Sequence, residues 1–155
     1  MTDNQDNPGI NLPPPLIYVA PLVLGLLLDR RAPLPFVPHG AARGLGWPLL
    51  GTGVLLNGWF LKTMRDAKVP IRTDKPVPRL TTTGPFRYTR NPGYLALAAI
   101  YSGIAFLRSS LWAMLLLPLV QTVIQREVIR REQRYLERTF GEEYLDYKGK
   151  VRRWI

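Results

Sequence analysis

The amino-acid sequence predicts an all-α fold, a polytopic transmembrane helical bundle of about four spans with a C-terminal cytoplasmic helical extension. The first indication is how the charge is distributed. The 155 residues include 21 Lys and Arg and 11 Asp and Glu, yet residues 7–28, 44–61, 91–107 and 109–125 carry no charge. A spanning helix needs roughly 20 apolar residues, and about 17 are tolerated. All four windows reach that limit.

The first predicted span, about residues 16–29, is preceded by a tail of residues 1–15 that we expect to be disordered. Three consecutive prolines end the tail and place the helix start near Leu16. This leaves about a dozen apolar residues before the first charge, so the segment either crosses the bilayer or only enters it. Residues 32–42 contain three prolines and are expected to form a loop. The second predicted span is about 44–62.

The third and fourth predicted spans, about 92–107 and 109–126, are nearly contiguous and therefore form an antiparallel hairpin. The hairpin puts the loop 62–90 on the same side of the membrane as the segment 126–155. These two segments hold eight and nine basic residues, and only four lie elsewhere. The positive-inside rule then places both segments, and the C-terminus, in the cytoplasm, as in a bacterial inner-membrane protein.

The composition also excludes several kinds of site. Without cysteine, and with His39 as the single histidine, the chain has no thiolate or histidine cluster for a metal. The net charge of +10 could suggest nucleic acid. However, the arginines flank apolar segments and accompany no recognised nucleic-acid module, so we expect no nucleic-acid partner. Membrane orientation and anionic headgroups explain the charge more simply.

The sequence Asn91-Pro92 marks the start of the third span. Asn is a preferred N-cap and Pro a preferred first helical residue, so a purely structural role is one interpretation. The other is functional, because a helix N-terminus at the membrane face offers free N–H donors to a carboxylate or to ribose oxygens.

Glu132 is the second candidate. The helical pattern of the fourth span continues from Gln121 to Phe140 and ends at Gly141, which we predict to be the C′ glycine of the helix. An α-helical projection surrounds Glu132 with uncharged residues and turns every arginine of this stretch away from it. A carboxylate on a packed face predicts either a functional site or a structural ion pair, for example with Arg90. The uncharged neighbours are Gln121, Gln125, Val128, Ile129, Tyr135, Leu136 and Thr139.

Several blocks in order then indicate a family. The run from Thr83 to Leu95 contains Arg90-Asn91-Pro92-Gly93-Tyr94, a helical hairpin follows, and Glu132-Gln133 and Phe140-Gly141-Glu142-Glu143-Tyr144 come after it. Together with Val151-Arg152-Arg153-Trp154, these blocks resemble the isoprenylcysteine carboxyl methyltransferase family, including its bacterial relatives and the phospholipid methyltransferases. The similarity covers about half of the chain, from Thr81 to the C-terminus, and no motif matches in the N-terminal half.

The resemblance implies a single membrane methyltransferase domain over residues 16–155, with the cofactor-binding half at 81–155. It implies transfer of a methyl group from S-adenosylmethionine, which leaves S-adenosylhomocysteine, to a lipophilic or small amphiphilic acceptor by O-, S- or N-methylation. It assigns Arg90, Asn91 and Glu132 to catalysis. The cofactor site that it implies contains no metal and comprises Gly84, Tyr88, Arg90, Asn91, Pro92, Tyr94, Glu132, Gln133, Tyr144, Tyr147 and Arg153.

Two positions depart from the family pattern within these blocks. Asn91 stands where the best-known members have histidine, and Gln133 stands where they have a second acidic residue. We therefore expect neither an imidazole base nor a carboxylate pair. Two alternatives remain open, a non-enzymatic membrane scaffold or assembly protein and a sterol-reductase-like membrane enzyme that uses a nicotinamide cofactor. The acceptor and the oligomeric state do not follow from the sequence.

Overall fold

The computed structural model describes residues 13–71 and 76–155, and all regular structure within these two ranges is helical. The predicted all-α fold is confirmed. Residues 1–12 of the predicted tail lie outside the described residues. The predicted end of the tail at residue 15 is wrong, because Pro14 and Pro15 already belong to the first helix. The helices are α1 (Pro14–Arg31), α2 (His39–Asp66), α3 (Pro92–Leu107), α4 (Leu111–Val123), α5 (Arg130–Phe140) and α6 (Glu142–Lys150), and a 3₁₀ turn occupies Gly84–Arg87.

Within the described ranges, one helix is long and apolar enough to cross a membrane. It is the continuous helix Leu111–Phe140, which contains α4 and α5. Helix α3 is apolar but has only 16 residues. Helix α1 ends in three charged residues, and the apolar part of α2 is diluted by glycine and polar side chains. The four predicted spans are therefore not confirmed by length and composition and stay a prediction.

The predicted hairpin of the last two apolar segments is present. Helix α3 ends at Leu107 and α4 begins at Leu111. Ser110 caps α4, because its side-chain oxygen accepts a hydrogen bond of 3.1 Å from the backbone N–H of Ala113. The hydroxyl of Tyr101 donates 2.7 Å to the carbonyl oxygen of Ala113, which ties the two helices together inside the core. The buried cluster around this contact also includes Tyr18 from α1.

Helices α2 and α3 pack closely against each other at glycine residues. A Cβ atom added at Gly53 would lie 2.7 Å from the backbone nitrogen of Ile100, and one at Gly103 would lie 2.6 Å from that of Leu50. No real side chain tolerates such distances to a backbone. The absence of a side chain at these glycines therefore lets the two helix backbones approach closely, as small residues do between membrane helices.

A wide π turn, Ile124–Ile129, connects α4 to α5 within the long helix. One such turn acts as one extra residue in an α-helix and rotates everything after it by about 100°. The turn buries Ile124, Val128 and Ile129. Helix continuity from Gln121 to Phe140 is as predicted, whereas the uniform α-helical phase assumed in the projection is not.

The projected stripe around Glu132 is largely confirmed despite this change of phase. Val128, Ile129 and Tyr135 are buried, and Gln121, Gln125 and Leu136 are partly buried. The assignment of Thr139 to the packed face is wrong, because this residue is exposed. It lies in the last turn of α5. The five arginines of this stretch are exposed, as predicted. Gly141 ends α5 with a φ of 52°, a conformation that favours glycine.

We expect Gly53→Ala to lower the free energy of unfolding by about 1–3 kcal/mol, because the new methyl group would meet backbone atoms of α3 that cannot move aside. Thermal unfolding of the detergent-solubilised protein measures this. Gly51→Ala in the same helix is the matched control, since nothing lies within 4 Å of an added Cβ there. It should unfold at the same temperature as the wild type or slightly above it. Equal unfolding of the two variants would contradict the close α2–α3 approach.

Candidate functional site

A cavity of about 310 Å³ lies where the start of α3 meets α5, α6, the end of α2 and the loop that follows α2. Its volume falls at the lower end of the range of small-molecule sites, roughly 300–1,000 Å³. Eight of the predicted site residues line it: Arg90, Asn91, Pro92, Tyr94, Glu132, Gln133, Tyr144 and Tyr147. Residues from two segments that are about 40 positions apart in the sequence thus share one cavity.

The Glu132 carboxylate is held by a tyrosine of the neighbouring helix. The Tyr94 hydroxyl donates a hydrogen bond of 2.8 Å to Glu132 Oε1, and both side chains line the cavity. The ion pairs found between described residues are Arg131 with Glu127 and Lys148 with Glu137, so the alternative of an Arg90–Glu132 ion pair is not realised. A single neutral donor leaves the carboxylate able to accept further hydrogen bonds or a cation.

The Arg90 guanidinium has unused donors. Its Nε and Nη1 atoms are buried without a hydrogen-bond partner in the described part of the chain, and the same holds for Gln133 Nε2 and Thr81 Oγ1. All three residues line the cavity. Buried polar atoms without partners are rare in proteins and costly, at about 1–3 kcal/mol each and more for charged groups. Their convergence on one cavity indicates a site for a polar ligand that completes these bonds.

The C-terminal segment fixes the corner from which Arg90 projects. The Asn91 amide nitrogen donates 2.8 Å to the Arg153 carbonyl oxygen, to which the Thr89 hydroxyl also donates, at 3.0 Å. The Arg90 backbone N–H donates 3.0 Å to the carbonyl oxygen of Arg152. Because these bonds lie on three consecutive residues, the C-terminal segment holds the turn before α3 in one conformation.

Asn91 occupies the N-cap position that the sequence predicts, with Pro92 as the first helical residue. Its side chain makes no capping hydrogen bond, because the amide is directed to the C-terminal segment instead. Asn91 is also buried. The geometry therefore makes Asn91 a residue that holds the corner, and a contact from Asn91 to a cofactor stays a prediction.

Three predicted site residues do not line the cavity. The Arg153 side chain lies behind it and donates 2.9 Å to Gln133 Oε1, which orients the Gln133 amide. Gly84 has a φ of 60° and packs against Thr63, so it shapes the turn before α3 from the outside. Tyr88 is 67% exposed, and its ring lies against Trp59 with the centroids 6.1 Å apart.

Tyr144 and Tyr147 of α6 form a neutral wall of the cavity. Burial raises the pKa of both hydroxyls, and the Arg90 guanidinium partly offsets this effect. The Tyr147 hydroxyl donates 2.8 Å to the carbonyl oxygen of Phe86. Both groups therefore stay protonated at neutral pH and offer no negative charge to a ligand.

The remaining wall of the cavity is mostly apolar and was not predicted from the sequence. It comes from α2 and from the loop after it, in the half of the chain where no motif was found. One signal was present in the sequence, since Asn57 is the single amide within the uncharged window 44–61. The apolar members of this wall are Phe60, Leu61, Met64, Val69, Pro70, Ile71, Val77 and Leu80, and its polar members are Asn57 and Arg79.

Comparisons with known proteins identify a family. The model of the phospholipid methyltransferase family matches residues 42–143, which include most of α2, the turn before α3 and Glu132. The chain is 58% identical over 33 residues to an uncharacterized protein of Haemophilus influenzae. That segment is 21% of this chain and covers about half of the relative's length, 52%. No solved structure matches.

We expect Asn91→Ala to destabilise the protein by about 0.5–1.5 kcal/mol, because the Arg153 carbonyl oxygen loses one of its two side-chain hydrogen bonds at the corner before α3. Thermal unfolding gives the loss in stability, and hydrogen exchange at the Arg90 amide reports release of the C-terminal segment. Thr82→Ala is the control, since Thr82 is exposed and precedes the same turn. If Asn91→Ala unfolds like this control, the C-terminal segment does not depend on the Asn91 bond.

Proposed function

Because the chain belongs to the phospholipid methyltransferase family, we propose that it transfers a methyl group from S-adenosylmethionine to a lipophilic or small amphiphilic acceptor. Membership of this family supports methyl transfer as the reaction. The identity of the cofactor and the class of acceptor are our proposal. The observation that carries it is the mixed lining of one cavity. Arg90, Glu132 and Gln133 line it together with mostly apolar residues of α2 and the following loop.

The polar part of the cavity fits the amino-acid end of this cofactor. A carboxylate suits the Arg90 guanidinium, because its Nε and Nη1 atoms are buried without a partner in the described part of the chain and charge-assisted hydrogen bonds to a carboxylate are strong. An ammonium group suits Glu132, whose carboxylate accepts only one hydrogen bond among the described residues, from Tyr94. The Gln133 amide nitrogen and the Thr81 hydroxyl would serve further polar atoms. The mostly apolar wall suits an acceptor with hydrocarbon character.

When bound, the cofactor supplies a methyl group on a positively charged sulfur, and transfer leaves a neutral thioether and a methylated acceptor. The acceptor lone pair forms the new bond to carbon while the electron pair of the broken bond stays on sulfur. Charge therefore disperses or is neutralised, which a low-dielectric site favours when the acceptor is anionic. The protein contributes alignment and exclusion of water rather than a strong acid or base. This agrees with Asn91, rather than histidine, at the corner of the site.

We also propose that the protein is embedded in a membrane through all four apolar segments. Helices α1, α2 and α4 expose large apolar side chains to the exterior, among them Leu24, Leu55 and Leu119. A surface of this kind suits lipid rather than water. The excess of basic residues in 62–90 and 126–155 supports a cytoplasmic location for the cavity and the C-terminus in a bacterial inner membrane.

Purified wild-type protein should bind S-adenosylhomocysteine with micromolar affinity in calorimetry. We expect Arg90→Ala to weaken this binding about 30- to 100-fold, because a buried charge-assisted contact to a carboxylate is lost. Arg87→Ala is the matched control, since Arg87 is exposed three residues earlier, and its affinity should stay within twofold of the wild type. Equal affinities for the two variants would remove Arg90 from the site.

Glu132→Ala should abolish detectable S-adenosylhomocysteine binding, and Tyr94→Phe should weaken it about fivefold, because only the bond that orients the carboxylate is lost. Glu143→Ala, at an exposed carboxylate of α6, should bind like the wild type. Wild-type binding by Glu132→Ala would contradict its assigned role. No binding by the wild type would contradict the proposed function and leave a scaffold, while binding of a nicotinamide cofactor instead would favour a reductase.

A further inference from the structure

A second depression, of about 480 Å³, lies on the surface of the long helix and shares no lining residue with the cavity. It is formed by one residue of α3, five of the long helix and a tryptophan of the C-terminal segment. Two of the five are arginines and three are uncharged polar residues. The residues that line this groove are Leu95, Gln121, Thr122, Gln125, Arg126, Arg130 and Trp154.

The groove lies where the long helix changes from apolar to charged. Residues 109–125 carry no charge, and Arg126 is the first charged residue after them. Trp154 is partly buried and packs against the hydrophobic core, so it is held at this level by the fold. Tryptophan and arginine are typical of the interface between hydrocarbon and headgroups. If α4 is embedded in lipid, the groove therefore faces the headgroup region.

Among the described residues, the arginines of the groove have no counter-ion. Arg126 and Arg130 are exposed, and neither forms an ion pair within the described part of the chain, whereas the neighbouring Arg131 pairs with Glu127 at 2.9 Å. The oxygen Oε1 of Gln121 already accepts a hydrogen bond of 3.2 Å from the Tyr18 hydroxyl. Its amide nitrogen, a donor, is the group left to the groove. The groove thus combines two positive charges with hydrogen-bond donors beside apolar surface.

We infer that this groove binds the headgroup of an acidic phospholipid, with its phosphate between Arg126 and Arg130 and its hydrocarbon along Leu95 and Trp154. Charge complementarity favours a lipid with net negative charge over a zwitterionic one, because the groove supplies cations without a carboxylate of its own. The inference depends on the proposed membrane placement and not on methyl transfer. The bound lipid is not the methyl acceptor, because the groove and the cavity are separate.

Native mass spectrometry of the full chain in detergent tests this, with phosphatidylglycerol, phosphatidylcholine or inorganic phosphate added in titration. We expect the wild type to retain phosphatidylglycerol in preference to phosphatidylcholine. The double variant Arg126→Gln/Arg130→Gln should bind phosphatidylglycerol roughly 30-fold more weakly, since each arginine near a charged headgroup contributes about 1 kcal/mol. Each single variant should show about a fivefold loss.

The matched control is Arg134→Gln/Arg138→Gln, which removes two exposed arginines of the same helix outside the groove and should bind within twofold of the wild type. An equal loss in both double variants would overturn the proposal, because it would indicate general attraction to a basic surface. Equal retention of the two lipids would also overturn it. Binding of inorganic phosphate with the same arginine dependence would overturn the assignment to lipid. Unchanged S-adenosylhomocysteine binding by the groove variants would show that they fold and that the two sites are separate.

Discussion

The cavity depends on the hydrogen bonds between the C-terminal segment and the turn before α3. The carbonyl oxygens of Arg152 and Arg153 accept from three consecutive residues, Thr89, Arg90 and Asn91. These bonds bring the last residues of the chain against the corner that carries the Arg90 guanidinium. Helix α6, immediately before that segment, is thereby placed so that Tyr144 and Tyr147 close one side of the cavity. The backbone carbonyl oxygens that hold this corner are therefore used for the fold, and the side chains of the cavity stay available to a ligand.

The helices around this corner are positioned by contacts of a different kind. Glycines let α2 and α3 approach until their backbones are in van der Waals contact, which brings the apolar wall of α2 beside the start of α3. The π turn of the long helix lets α4 keep its packed face while α5 directs Glu132 to Tyr94. Close helix packing and one wide turn thus place a carboxylate and a guanidinium on the same cavity without pairing them.

An unpaired arrangement has a consequence for function. A guanidinium and a carboxylate in direct contact would satisfy each other and leave little for a ligand. Among the described residues, Arg90 retains buried donors and Glu132 retains acceptor capacity, so a zwitterionic ligand would complete both. This mixed lining is consistent with the proposed methyl transfer, because a charged cofactor and a lipophilic acceptor would need polar and apolar surfaces in one cavity.

The sequence by itself determined the helical class, the α3–α4 hairpin, the helix start at Asn91-Pro92 and the helix end at Gly141, because these follow from local apolar patterns and capping preferences. It also singled out Arg90 and Glu132. Only the tertiary structure decided that the Asn91 amide binds the C-terminal segment, that Arg153 lies behind Gln133, and that α2 supplies a wall. Those contacts join residues far apart in the chain, and neither periodicity nor motif spacing contains such distances. The π turn was likewise hidden, because a one-residue change of helical phase leaves no local pattern in the sequence.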